Sequence, residues 1–353
     1  MSVHIIAADE ALMRLDAYSA VLDVRSPGEY ALDCLPGAVN WPVLDDAERE
    51  RVGMLYVQTG AFEAKRLGAV LVARNIARHI ESHARDWPKS HEPLVYCWRG
   101  GNRSAAMAHV LGQVGWRVHL VHGGYKALRA ALVKQLERQV GSLRLRVVCG
   151  PTGSGKSRLL RALARQGAQV LDLEQLAAHR GSVLGAMEAE AQPTQKQFET
   201  RIWNTLRKFD PSQTVFVESE SRKIGRLQLP VTLLACMHAS ACMRLQASLP
   251  VRVELLLKDY AALARAPQEL NLRLDALTEL RGKATIARWH SLVDAGGFAT
   301  LVEELLVQHY DPSYAQSMAR NYAGFGSCRT WPVELVDAGA FDALAREILH
   351  AAS

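Results

Sequence analysis

A thiol, two arginines and two glycines stand together in Cys97-Trp98-Arg99-Gly100-Gly101-Asn102-Arg103-Ser104. The apolar run Leu94-Val95-Tyr96 before them reads as a strand. Ser104-Ala105-Ala106-Met107 opens a helix after them. In a strand, tight loop and helix, successive backbone N–H groups can turn inward around an anion, and the helix N-terminus adds partial positive charge there. Both effects favour thiolate over thiol, so Cys97 is the candidate nucleophile. Arg99, Gly100, Gly101, Asn102, Arg103 and Ser104 form its candidate anion loop.

A second constellation is Gly150-Pro151-Thr152-Gly153-Ser154-Gly155-Lys156-Ser157, the pattern G-x4-G-K-S. The strand-like Leu143 to Cys149 precedes it and the helix-like Arg158 to Leu163 follows, the context a phosphate-binding loop requires. Gly150, Gly153, Ser154 and Gly155 let backbone wrap a phosphate. Lys156 bridges phosphate oxygens, and Ser157 can ligate Mg²⁺. The motif specifies a polyphosphate and not a particular nucleotide. An acid after a neighbouring strand, Asp172 or Glu218, could hold the metal's water shell, with Arg222 as further support.

These loops need parallel strands with their carboxyl ends on one edge. The chain alternates strand-like and helix-like stretches, which implies α/β layers. Val21 to Val24 stops at Arg25-Ser26-Pro27-Gly28, and Arg117 to Val121 stops at His122-Gly123-Gly124-Tyr125. Apolar spacing predicts a helix over about 61–84 and another over 125–142. The chain has 353 residues, so more than one domain is expected. The reading is a parallel-sheet domain over 1–128, a connecting helix over 129–142, a phosphate-loop α/β domain over 143–250, and a mainly helical part over 251–353. Tyr310-Asp311-Pro312-Ser313-Tyr314 reads as a turn. A net charge of +6 permits a nucleic-acid or polyphosphate partner. Six cysteines without C-x-x-C spacing read as free thiols in a reducing compartment. No run of about 18 apolar residues suggests a membrane span, and the start shows no signal peptide, so the expected address is the cytoplasm.

Four markers stand in order: Asp-Val-Arg-Ser-Pro-Gly-Glu-Tyr (23–30), Leu-Pro-Gly-Ala-Val-Asn (35–40), the Cys97 loop and Gly-Gly-Tyr-Lys-Ala (123–127). Together they resemble a rhodanese domain, with Arg25 as a supporting residue. Arg103 lies six residues after Cys97, one more than in common sulfurtransferase loops. The longer C-x5-R ring resembles that of rhodanese-like phosphatases and suits a larger, tetrahedral anion. A phosphate loop follows the rhodanese-like part, as do Asp-Leu-Glu-x4-His-Arg-Gly-Ser (172–182), Gln-Pro-x-Gln-x-x-Phe-Glu (192–199), Glu-x-Glu-Ser-Arg-x-Ile-Gly (218–225) and Tyr-Asp-Pro-x-Tyr (310–314). With these the chain resembles the tRNA 2-selenouridine synthase family over nearly its whole length.

The resemblance implies a rhodanese-like domain followed by a P-loop NTPase-like domain. It implies action on 2-thiouridine at the wobble position of tRNA: geranylation of sulfur by geranyl diphosphate, then exchange for selenium from selenophosphate. The P-loop would stabilise the leaving diphosphate, with Mg²⁺ at Ser157 and no tightly bound cofactor. Cys97 would carry selenium as a perselenide, with Arg103 on the phosphate-bearing donor. Trp98 would stack on the unstacked base, and helix arginines such as Arg158 and Arg161 would meet tRNA phosphates. The residues alone leave three rivals open: a C-x5-R phosphatase or arsenate reductase, a phosphate-sensing binding module, and an ATP-driven sulfurtransferase. The hydrophobic residues of a geranyl site are not distinguishable from core.

Overall fold

The computed structural model describes residues 3–181 and 191–352; Ser182, at the end of the His-Arg-Gly-Ser motif, lies outside the described residues. The chain divides into two compact units: Met1–Leu136 with Thr194–Asn204, and Glu137–Pro193 with Thr205–Ser353.

In the first unit, β1 (Val3–Ile6), β2 (Ala20–Asp23), β3 (Ala38–Asn40), β4 (Pro93–Tyr96) and β5 (Val118–Val121) form a sheet in the order β1-β5-β4-β2-β3. Every pairing is parallel. β4 lies at the centre and is buried throughout, as a strand covered on both faces must be. Leu22, Val95, Met107, Leu111 and Val118 fill the core beside it. β4 therefore delivers Cys97 to the carboxyl edge of the sheet, where the helix Asn102–Val114 begins.

One element of this unit comes from far along the chain. The helix Gln195–Leu206 contributes its residues through Asn204 to the first unit, although the sequence reading assigns 143–250 to the phosphate-loop domain. Its side chains explain the placement. Gln197 Nε2 donates to Ala31 O at 2.8 Å, Thr200 Oγ1 donates to Asp33 Oδ2 at 3.3 Å, and Glu199 pairs with Arg129. Phe198, Ile202 and Trp203 are buried.

In the second unit, β6 (Arg144–Cys149), β7 (Gln169–Leu171), β8 (Thr214–Glu218), β11 (Ala241–Ala247) and β12 (Thr330–Val333) form a parallel sheet in the order β12-β11-β6-β8-β7. β9 (Lys223–Ile224) and β10 (Leu227–Gln228) form a separate antiparallel pair. The last strand differs from the sequence reading, which ends this domain at 250. β12 carries Pro332, and an edge strand tolerates the missing N–H that would argue against a central one. The helix Ala338–Ala352 then packs Phe341, Ala345 and Ile348 into the core of this sheet.

Between β11 and β12 the chain is helical, with its own core of Leu263, Leu274, Ile286, Trp289 and Leu301. Residues 310–314 are not a turn, contrary to the sequence expectation. A π-helical segment Leu306–Tyr310 runs directly into the helix Asp311–Asn321. Pro312 sits in that helix's first turn, where no intrahelical N–H is needed.

Candidate functional site

The thiol of Cys97 is buried at the end of β4, at 3% exposure. Ser104, in the first turn of the helix Asn102–Val114, donates Oγ–H to Cys97 Sγ at 3.0 Å; Gly101 O, at 3.3 Å, competes for the same proton. The turn that follows β5 holds the thiol loop. Tyr125 N–H donates to Cys97 O at 2.7 Å and Lys126 N–H to Trp98 O at 3.0 Å. Glycine is required at this crossing. A Cβ on Gly124 would stand 2.3 Å from Cys97 O and 2.4 Å from Gly100 N, and its φ is +57°.

Arg25 is 1% exposed and forms a buried ion pair with Asp23. Its Nη2 also donates to Asp33 O at 2.6 Å, and its guanidinium lies 4.0 Å from the Tyr125 ring centre. Trp98 stacks on the same tyrosine at 5.3 Å. Arg25 thus acts on the Cys97 loop through aromatic neighbours and is a positioning residue. Tyr125 Oη donates to Asp33 Oδ2 at 2.7 Å, while burial pushes the Asp33 carboxyl above its usual range.

In the second unit the phosphate loop joins β6 to the helix Lys156–Arg165. Gly155 has φ +87°, and a Cβ there would meet Phe341 Cζ at 2.5 Å, so the C-terminal helix also demands glycine in the loop. Gly150 N–H donates to Tyr314 Oη at 2.6 Å. Lys156 Nζ donates to Gly150 O at 2.8 Å and lies 3.6 Å from Glu218 Oε1. Ser157 Oγ stands 3.0 Å from both Glu174 Oε2 and Glu218 Oε2.

Glu174, Glu218 and Glu220 bring carboxylate oxygens within 4.8 Å of one another. Burial and mutual repulsion push Glu174 up to about 8 and raise Glu220 well above the carboxylate range. Glu218 rises through burial, against the pull of Lys156. Three crowded acids, two of them hydrogen-bonded to the Ser157 hydroxyl, are a hard oxygen donor set for a divalent cation. The adjoining cleft, about 210 Å³, is lined by Lys156, Ser157, Arg158, Arg180 and these acids.

Two family models match the chain: a rhodanese-like domain over residues 7–131 and a tRNA 2-selenouridine synthase AAA domain over 143–280. A tRNA 2-selenouridine synthase of Bdellovibrio bacteriovorus is 33% identical, covering 91% of this chain and 95% of its own. The chain belongs to the tRNA 2-selenouridine synthase family. Relatives of the same name from Marinobacter nauticus (35% identical, 83% of this chain and 87% of theirs) and Bordetella petrii (34%, 85% and 87%) agree.

In this family member the two sequence motifs keep their places, and several of their side chains have partners that the sequence alone does not show. Arg103 is bound to Glu29, with Nη1 2.7 Å from Oε2, so its charge is already partnered. Arg99 and Asn102 are exposed, and Trp98 is half-buried under Tyr125. Asp172 caps the helix Leu173–Ala177 by accepting from Gln175 N at 2.9 Å. Of the two acids left open by sequence, Glu218 is the one on Ser157. Arg222 is exposed in the turn beyond β8. Arg158 pairs with Asp259, and Arg161 Nε donates to Ser157 O. Sequence reasoning missed Glu174, Glu220, Arg180 and Tyr314. The available signal was their place inside the quoted motifs: Glu174 is two residues past Asp172, and Glu220 two past Glu218.

Proposed function

We propose that the chain is a tRNA-modifying transferase converting wobble 2-thiouridine to 2-selenouridine, by geranyl transfer from geranyl diphosphate and then selenium transfer from selenophosphate. The shared name of the relatives, tRNA 2-selenouridine synthase, supports the overall conversion. The observation that carries the division of labour is the pairing, in one chain, of a thiol hydrogen-bonded at a helix start with a phosphate loop facing an acid-lined cleft. The six free thiols and a tRNA substrate agree with a cytoplasmic address.

In the first step the base sulfur attacks the allylic carbon of geranyl diphosphate. The C–S bond forms, the C–O bond breaks with its electrons leaving on diphosphate, and the base gives up its N3 proton to solvent. Lys156 exchanges Gly150 O for the departing oxygens, and the loop N–H groups share the charge. Mg²⁺ held by Glu174, Glu218, Glu220 and Ser157 would supply further neutralisation of the leaving group. Alkylation converts a poor thiolate leaving group into one that departs as a thiol.

Electron counting selects the second step. Making a perselenide on Cys97 by attack on selenium would leave the P–Se electron pair on phosphorus and reduce it to phosphite, whereas attack on phosphorus needs no change of oxidation state. Attack of Cys97 Sγ on phosphorus balances: the S–P bond forms, the P–Se bond breaks, and selenium leaves as selenide. Selenide adds at the base carbon and expels geranyl thiol, which takes its proton from solvent; water then frees phosphate from Cys97. The C-x5-R ring, long enough for a tetrahedral phosphoryl group, favours this route over the perselenide.

Mass spectrometry of thiouridine-containing tRNA tests the reading. Cys97→Ser should accumulate the geranylated base, and Lys156→Ala should fail to make it yet selenate RNA geranylated beforehand. Phosphorus NMR should show inorganic phosphate as product; phosphite would return the perselenide route. Equal loss of both steps in both folded variants would sink the assignment.

A further inference from the structure

Beside the phosphate-loop cleft lies a second cavity of about 60 Å³ within the same unit. The helices Leu249–Asp259, Ala261–Ala264 and Phe298–Leu305 and the segment Leu306–Tyr310 wall it. Its lining is apolar apart from Thr152, Tyr260 and Tyr310. Those three residues and Leu256 also line the charged cleft, so the two spaces adjoin. Interiors are normally close-packed, and apolar cavities of this kind stay dry. A hole kept open beside a phosphate loop is suited to the apolar part of a phosphate-bearing ligand.

We infer that this cavity takes the hydrocarbon chain of the allylic diphosphate, with the diphosphate on the phosphate loop; the inference rests on the reading that the loop binds geranyl diphosphate. Three contacts set the geometry. A Cβ built on Gly153 would stand 2.9 Å from Leu256 Cδ1, so loop backbone and cavity wall touch. Arg252 Nε donates to Thr152 O at 2.8 Å, tying the helix Leu249–Asp259 to the loop. Arg252 is itself held by Asp311 at 2.6 Å, which fixes the start of the helix Asp311–Asn321 to the same point. The first carbon of the chain, one bond from a diphosphate oxygen, enters at Leu256. The branched chain runs on toward Leu263 and Leu301, and the half-buried Leu257, Phe298 and Val302 yield the room a ten-carbon chain needs. The polar cleft excludes the chain, and the apolar cavity excludes the diphosphate, so orientation is enforced.

Calorimetric titration of the full chain with inorganic diphosphate, dimethylallyl diphosphate and geranyl diphosphate, each with Mg²⁺, tests this. Geranyl diphosphate should bind at least about tenfold more tightly than inorganic diphosphate, with the five-carbon compound between them. Ala264→Leu, which fills the cavity, should reduce that advantage to about threefold or less while leaving inorganic diphosphate affinity unchanged. Val302→Phe should do the same from the opposite wall, and melting curves confirm that each variant is folded. If the advantage survives both substitutions in folded protein, the chain lies elsewhere and the cavity assignment fails, with the loop's ligand intact. If geranyl and inorganic diphosphate bind alike in the unsubstituted protein, the reading of the loop itself fails and carries this inference with it.

Discussion

Ser104 Oγ donates a hydrogen bond to Cys97 Sγ across 3.0 Å, and both atoms are buried. A hydroxyl donor at that distance stabilises negative charge on sulfur without adding charge of its own. Ser104→Ala is expected to slow alkylation of Cys97 by iodoacetamide at pH 7 about ten- to a hundredfold, since a hydrogen bond to a charged group is worth about 1.5–3 kcal/mol. Selenation should fall in parallel, with geranyl transfer unchanged.

The crossing of Gly124 over the thiol loop leaves no room for a side chain. Gly124→Ala must displace Cys97 O or Gly100 N by about an ångström, at the cost of the Tyr125 N–H bond to Cys97 O. The expected outcome is selenation reduced about a hundredfold, because a 1 Å misplacement of reacting groups has that effect. Geranylated tRNA should accumulate in the same assay.

Arg25 and Asp23 form an ion pair with both side chains essentially excluded from water. Removing one member leaves the other charge buried and unpaired, which costs about 3–5 kcal/mol. Arg25→Ala should therefore lower the melting temperature of the first unit's transition by about 10 °C. Arg25→Lys restores charge but not the two-pronged geometry, and should recover only part of that loss.

The acids around Ser157 predict a pH response with a definite sign. The Glu174 carboxyl, ordinarily near 4.5, is pushed up to about 8 by burial and by Glu218. Between those values the folded chain keeps a proton that the unfolded chain has released. Stability in chelator is thus fully present below about pH 4.5 and is lost as pH rises toward 8. Mg²⁺ competes with that proton, so its affinity should climb over the same window. Melting curves from pH 5 to 8, with chelator and with Mg²⁺, check both trends. Glu174→Gln should flatten the chelator profile and weaken Mg²⁺ binding.

Lys156→Ala removes the one ammonium shared by Gly150 O and Glu218. It should cost about a hundredfold or more in geranyl transfer, the scale for losing one preorganised group at a developing charge. The loss should appear in kcat more than in KM, because the charge it meets develops in the transition state.

Both candidate loops were legible in the sequence for local reasons. A strand that stops at Cys97 and one that stops at Cys149 each lead through glycines into a helix, and such short-range signals need no knowledge of distant contacts. The α/β class and the order of the two domains followed from the same alternation. Tertiary structure decided what brings remote residues together. It placed the helix Gln195–Leu206 with the first unit because Gln197 and Thr200 find acceptors at Ala31 and Asp33, returned Thr330–Val333 to the edge of the phosphate-loop sheet, and turned the expected Tyr310–Tyr314 turn into helix. It bound Arg103 to Glu29, capped a helix with Asp172, and put Glu174 and Glu220 beside Glu218. Spacing along a chain reports which residues share a loop or a helix face. Which acid meets which hydroxyl depends on packing between segments tens of residues apart, and only the folded chain sets that.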